Sequence, residues 1–277
     1  MQNLSSVKEF DVNTGLSTQN GMQNGTEDED ASSPESQLAH ATEKLRDLVL
    51  RGTFPTDVKL PEARVAQLLT VSRTPARLAM AALERDGLLV RLPRRGFRVR
   101  SFSLDEVVEA IEVRGELEAI AARVTSEKGL SAEHRLLLEA SIAQSDALLK
   151  TGSIDAAQRR TWCDLNVAFH TALVEASGLR PLRAAYDQVN LVPLASPRDT
   201  IFNIAEPDLT LRQLTVALED HGRVLDAILN RHSTRAAALM REHAYRSGEN
   251  KRRNFPHIEM RTMILETPGV SLVRQQV

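Results

Sequence analysis

Residues Leu69 to Arg100 read LTVSRTPARLAMAALERDGLLVRLPRRGFRVR, and the reading of this stretch decides the fold of the first third of the chain. Ala76, Ala79, Met80 and Leu83 recur at three- and four-residue intervals, the spacing of one buried helix face, while Arg73 and Arg77 fall one turn apart on another face. Ser72 or Thr74 can cap this helix, and Pro75 lies in its first turn, where a missing N–H breaks no intrahelical bond. Upstream, EARVAQLL makes a short helix with Val65, Ala66 and Leu69 inward, and Thr70-Val71 is the tight turn between the two. Downstream, the residues to Arg100 alternate. Val90, Leu92, Phe97 and Val99 are expected inward and Arg91, Arg98 and Arg100 outward, about a Pro93-Arg94-Arg95-Gly96 turn.

Helix, turn, helix and basic wing in that order suit duplex DNA. A major groove about 12 Å wide admits one helix, and a guanidinium fork bonds guanine O6 and N7 bidentately, worth about 1–3 kcal/mol of discrimination per pair. The arginines at the wing tip suit phosphates or a minor groove. The charge distribution agrees. The 277 residues carry a formal net charge of -2, yet residues 37–103 hold 13 Lys and Arg against 6 Asp and Glu. Residues 1–36 hold 1 against 7, and the remainder 21 against 24. An isolated arginine pair is most simply a solvated surface; here the ordered set of motifs favours DNA.

The chain is 42% hydrophobic, with a mean hydropathy of -0.26 and no apolar run of membrane-spanning length, so a soluble globular protein is expected, with no membrane partner. The start, MQNLSSVKEFDVNTG, lacks the basic and apolar regions of a secretory signal, and the single cysteine, Cys163, forms no intrachain disulfide; both agree with a cytoplasmic location. Residues 1–36, rich in Asn, Ser, Gln and acid, read as a disordered acidic tail, and 37–103 as the winged helix-turn-helix unit with its small β-hairpin wing. Residues 104–250 are helical throughout. Breaks at KGLSAE, TGSID, SGLRP, VPLASPRDT and NRHST cut them into about six helices, an all-α antiparallel bundle, and 251–277 form a C-terminal tail. The fold class is therefore mainly α.

Three histidines stand on the helices of the bundle. His170 follows Asn166 by one turn on the same face; His221 shares a stripe with Leu214, Leu218, Leu225 and Ile228, and His243 with Ala236, Leu239 and Met240. Each alone suits a core histidine with a local hydrogen bond. Three inward imidazoles from three helices also suit a metal site. Arg114 shares a stripe with Ile111, Leu117 and Ala121, which aims it into the bundle; the plainer reading is an i,i+4 ion pair with Glu118. Trp162 and Phe169 are expected to pack in the core rather than stack on a cofactor.

The run VSRTPARLAMAALERDGLLVRLPRRGFRV resembles the GntR-type winged-helix regulators, in particular their FadR-like branch with an all-helical, FCD-type ligand-binding domain, over about residues 37–248. That resemblance implies DNA contacts from Ser72, Arg73, Thr74 and Arg77 on the recognition helix and from the wing tip at Arg94, Arg95 and Gly96. Arg64 is a further candidate beside Ala63, where the family often has arginine, although one residue turns a helical side chain by about 100°. The family often has Gly at Thr70 and Glu at Leu78. It implies a metal held by Asn166, His170, His221 and His243, with Asn166 standing where the family has Asp. The expected ion is zinc, bound more weakly for want of the carboxylate. It further implies Arg114 at an acidic effector, a homodimer on an operator, and a repressor released by a small carboxylate-bearing metabolite. The alternative is a metal-dependent hydrolase using a His-ligated zinc. No Glu or Asp occupies a convincing general-base position, and HExxH, GxSxG and phosphate-binding glycine loops are lacking, so no enzyme is expected. A metal-storage bundle would leave the basic wing unexplained.

Overall fold

The computed structural model describes residues 34–93, 96–257 and 267–274; the expected acidic tail lies outside them except for residues 34–36, which open the first helix. The order is α1 (Pro34–Leu50), β1 (Lys59–Leu60), α2 (Glu62–Leu69), α3 (Arg73–Arg85), β2 (Leu89–Arg91) and β3 (Phe97–Val99). The three strands form an antiparallel sheet in the order β1-β3-β2. Ala41, Leu45 and Val49 of α1, Val65 and Leu69 of α2, and Ala76, Met80 and Leu83 of α3 are buried with Leu89, Phe97 and Val99 in one core. This is a winged helix-turn-helix.

Thr70 makes the sharp turn between α2 and α3 possible and is strained by it. It ends α2 in the left-handed region, φ 60° and ψ 41°, where a β-branched side chain crowds the backbone. Thr70→Gly is expected to raise stability by about 1 kcal/mol, read as a small rise in melting temperature; an unchanged or lowered value would mean that the hydroxyl or methyl contributes more than the strain costs.

The first wing strand is one residue out of the phase expected from alternation. Leu89 pairs with Val99 and Arg91 with Phe97, so Leu89 takes the core face, while Val90, opposite Arg98, is only half-buried. A strand of three residues preceded by Leu88 has two equally apolar phases, and its cross-strand partner decides between them.

Beyond β4 (Phe102–Ser103) the described residues of the bundle form six helices: α4 (Leu104–Lys128), α5 (Ala132–Leu149), α6 (Ala156–Ala176), α7 (Arg180–Val189), α8 (Pro207–Leu229) and α9 (Ser233–Asn254). Reciprocal capping boxes start α4, between Ser103 and Glu106, and α6, between Asp155 and Gln158. Helices α4 and α9 pack most extensively, because Gly115 lets them approach; a Cβ there would lie 2.3 Å from the Cβ of Ala244. None of the helices among the described residues is long and apolar enough to cross a membrane.

Helix α9 runs four residues past the expected end of the bundle, and part of the expected tail is built into the fold. Val270, Leu272 and Val273 are buried in the core of the winged unit. The Gly269 N–H donates to the Leu50 carbonyl at 2.8 Å, and β5 (Val273–Arg274) pairs in parallel with β4. Arg274 reaches Asp57 at 2.9 Å. The same core takes in Val107 and Ile111 of α4, and Leu194 and Ala195 from the segment after α7. Ending the chain after residue 266 removes three buried apolar side chains and uncovers what they pack against, a loss of about 1.5–3 kcal/mol for each, so the melting temperature is expected to fall by at least roughly 10 °C. A shift within one or two degrees in calorimetry would overturn this.

Candidate DNA interface and ligand cavity

Helix α3 turns one face wholly inward, with Ala76, Ala79, Met80 and Leu83 all fully buried, and so fixes the other outward. Ser72, Arg73, Thr74 and Arg77 are exposed there, as is Arg64 on α2. Ser72 occupies the N-cap position but its side chain makes no capping hydrogen bond, which leaves the hydroxyl available. Among the described residues, none of Arg64, Arg73 and Arg77 has an ion-pair partner.

The described wing arginines differ. Arg91 bonds Glu84 through Nε and Nη2 and lies 4.7 Å over the Phe97 ring; Arg98 pairs with Asp57, and Arg100 pairs with Glu106 while lying 4.4 Å over Phe102. These cations hold the wing in place and are neutralised inside the unit. The uncommitted charge therefore concentrates at the helix-turn-helix. Arg94 and Arg95 lie outside the described residues. Gly96 adopts φ 107°, a conformation that glycine takes readily, and a Cβ there would lie 3.1 Å from Lys59 Cε.

In the bundle, α6, α8 and α9 bring His170, His221 and His243 together. All three are buried, and one ligand atom from each lies within 4.8 Å of the others. His170 Nδ1 stands 2.7 Å from Glu118 Oε1, so the carboxylate accepts that proton and leaves Nε2 as a lone-pair donor. Burial tends to raise the Glu118 pKa, but His170 and Arg114 outweigh it and hold the carboxyl below its ordinary value. Asp220 stands 3.6 Å from His243 Nδ1 and is clamped by Arg246 at 2.8 and 2.9 Å. Burial pushes His170 down despite Glu118, and pushes His221 well down with help from the other two rings.

The donor set fits a divalent ion. His221 Nε2 is buried with no hydrogen-bond partner among the described residues, an orphan that an ion would satisfy. Its ring is held by Phe169, stacked at 3.9 Å and 13°, so Phe169 packs in the core and fixes that ring. Asn166 donates through Nδ2 to the Pro197 carbonyl at 2.7 Å and lines the cavity beside His170. Asp164 lies off that face and pairs with Arg198 at 2.9 Å.

A cavity of about 530 Å³ opens beside the cluster, lined by Arg114, Trp162, Asn166, His170, His243 and Lys251 among others. Arg114 reaches the cavity wall, with Nη1 donating to the Ala195 carbonyl and Nε 3.4 Å from Glu118 but without a hydrogen-bond partner among the described residues. The plainer ion-pair reading is the one that the structure contains. Glu118, Asp220 and Lys251 were not legible as site residues. Glu118 carried a signal, since it follows Arg114 by one turn on an inward stripe, where a carboxylate must have partners.

A winged helix-turn-helix with an uncommitted basic helix, joined to a helical domain with a histidine-lined cavity, defines a winged-helix transcriptional regulator. The family described as "Bacterial regulatory proteins, gntR family" matches residues 37–99, and the FCD domain family matches residues 109–246. The chain belongs to the GntR family of bacterial transcriptional regulators and carries an FCD domain. It is 31% identical over 147 residues to the HTH-type transcriptional regulator YdhC of Bacillus subtilis, covering 53% of this chain and 63% of that one. To the HTH-type transcriptional repressor GlaR of Escherichia coli it is 26% identical over 201 residues, covering 72% of this chain and 88% of that one. The solved structure of E. coli McbR/YncC shares the fold, with a TM-score of 0.53 at 18% identity over 76% of this chain and 93% of that chain. These relatives and this fold are those of regulators rather than enzymes.

Proposed function

We propose that the protein is a repressor that binds its operator as a homodimer and is released by a small carboxylate-bearing metabolite held in the metal-containing helical domain. The observation that carries the DNA reading is the outward face of α3, where Arg73 and Arg77 stand exposed, without an ion-pair partner among the described residues, over a fully buried opposite face. Ser72, Thr74 and Arg64 flank them, and the Arg94–Arg95–Gly96 tip adds phosphate contacts. Two copies meet half-sites about 34–36 Å apart, or multiples of that. Such a regulator works on DNA in the cytoplasm.

Zinc is the ion proposed for His170, His221, His243 and Asn166, where it would supply a Lewis-acidic position for an oxygen of the effector. Signal transfer has a physical route. Arg114 at the cavity wall donates to the Ala195 carbonyl, and Ala195 is buried in the core of the winged unit. A ligand that binds better when this contact is rearranged shifts the placement of the two winged units; a coupling of about 1–3 kcal/mol changes operator affinity 5- to 150-fold.

The test selects genomic fragments on the purified full-length protein and measures affinity by fluorescence anisotropy, with and without small organic acids. A selected fragment bound at least 100-fold more tightly than random duplex, and weakened by one of the acids, is the expected result. Equal affinity for all duplexes would remove the reading.

A further inference from the structure

Two cationic side chains are buried among the described residues, Arg114 and Lys251. Arg114 has Glu118 beside it. Lys251, on α9 two turns beyond His243, is 5% exposed and lines the cavity, yet no described carboxylate lies within ion-pair distance of it. Its ammonium donates one hydrogen bond, to the Asp199 backbone carbonyl. An ammonium has three donors, so two remain for whatever occupies the cavity. The charged and titratable groups that act on it are Asp199, which attracts it, Arg114, which repels it, and the Cys163 thiol. The arrangement is incomplete, because a buried cation is costly unless paired.

Resting on the reading of the bundle as an effector domain, we propose that Lys251 takes the carboxylate of the effector, whose second oxygen function faces the histidine cluster. The rise from His243 to Lys251 along α9 is about 12 Å, and a lysine side chain leans back toward the helix N-terminus by roughly half of that. The span suits an acid of about four to six carbons with an oxygen donor at each end, and the cavity of about 530 Å³ has room for it. Burial lowers the Lys251 pKa to about 8 in the free protein, and a bound carboxylate would raise it again.

The experiment titrates the zinc-loaded, full-length protein calorimetrically with acetate, succinate, adipate and gluconate. The wild type is expected to bind at least one of the three longer acids more tightly than acetate. Lys251→Met weakens that acid at least tenfold, while Lys251→Arg, which keeps the cation, loses no more than about threefold. Zinc affinity, measured by competition with a chromophoric chelator, stays unchanged in both variants, which shows that the fold and the histidine cluster are intact. If the wild type binds none of the acids, the carboxylate-effector reading fails and this assignment falls with it. If the wild type binds one and Lys251→Met binds it equally well, only the assignment of Lys251 is overturned.

Discussion

Replacing Arg73 and Arg77 together by alanine is expected to lower affinity for the selected operator by about 10²–10³-fold. Each bidentate contact to a guanine contributes about 1–3 kcal/mol, and two on one helix act on adjacent bases. The melting temperature should barely move, because both side chains are exposed and neither has an ion-pair partner among the described residues. Arg91→Ala and Arg98→Ala provide the contrast. Those arginines are held by Glu84 and Asp57, so their removal costs about 0–1 kcal/mol of stability each and leaves operator discrimination largely intact. Anisotropy titrations of the four variants at two salt concentrations separate the outcomes. Loss of discrimination in the wing variants with none in the α3 variants would reverse the assignment of the recognition face.

Stripping the metal with a chelator is expected to lower the melting temperature by roughly 5–15 °C, since an ion present at 100 to 1,000 times its Kd contributes about 2.7–4.1 kcal/mol to the folded state. Asn166→Asp should tighten zinc at least tenfold by supplying the missing negative charge from the same helix face. His221→Ala should abolish tight binding, because the orphaned Nε2 is the ring nitrogen that only a ligand can satisfy. Inductively coupled plasma mass spectrometry and chelator competition read all three. Zinc content unaffected by His221→Ala would show that the cluster is a packed core and nothing more.

Much of the architecture was legible because it follows from local periodicity. The face of α3 carrying Ala76, Ala79, Met80 and Leu83 can lie only on a core, which fixes where Arg73 and Arg77 point. His221 and His243 were legible in the same way, as polar residues on stripes that must be inside, whereas His170 was marked by its one-turn spacing from Asn166 and by the family resemblance. The phase of the first wing strand was not legible, since Leu88, Leu89 and Val90 offer two apolar registers and the pairing of Leu89 with Val99 selects one. Nor was the inward folding of residues 267–274, whose few apolar side chains show no period and find their place only against α1 and β4.

The order of residues by itself determined a basic reading helix, an all-helical second unit and an inward face for His221 and His243, because each depends on spacing within a single element; that the three imidazoles meet was implied by the family resemblance and decided by the fold. Which charges are neutralised was decided only by the tertiary fold. Arg91, Arg98 and Arg100 meet carboxylates, Arg114 meets Glu118 and the Ala195 carbonyl, and Lys251 forms no ion pair with a carboxylate among the described residues. Pairing depends on atoms a few ångströms apart in space and many residues apart along the chain, a relation that no repeat in the sequence encodes.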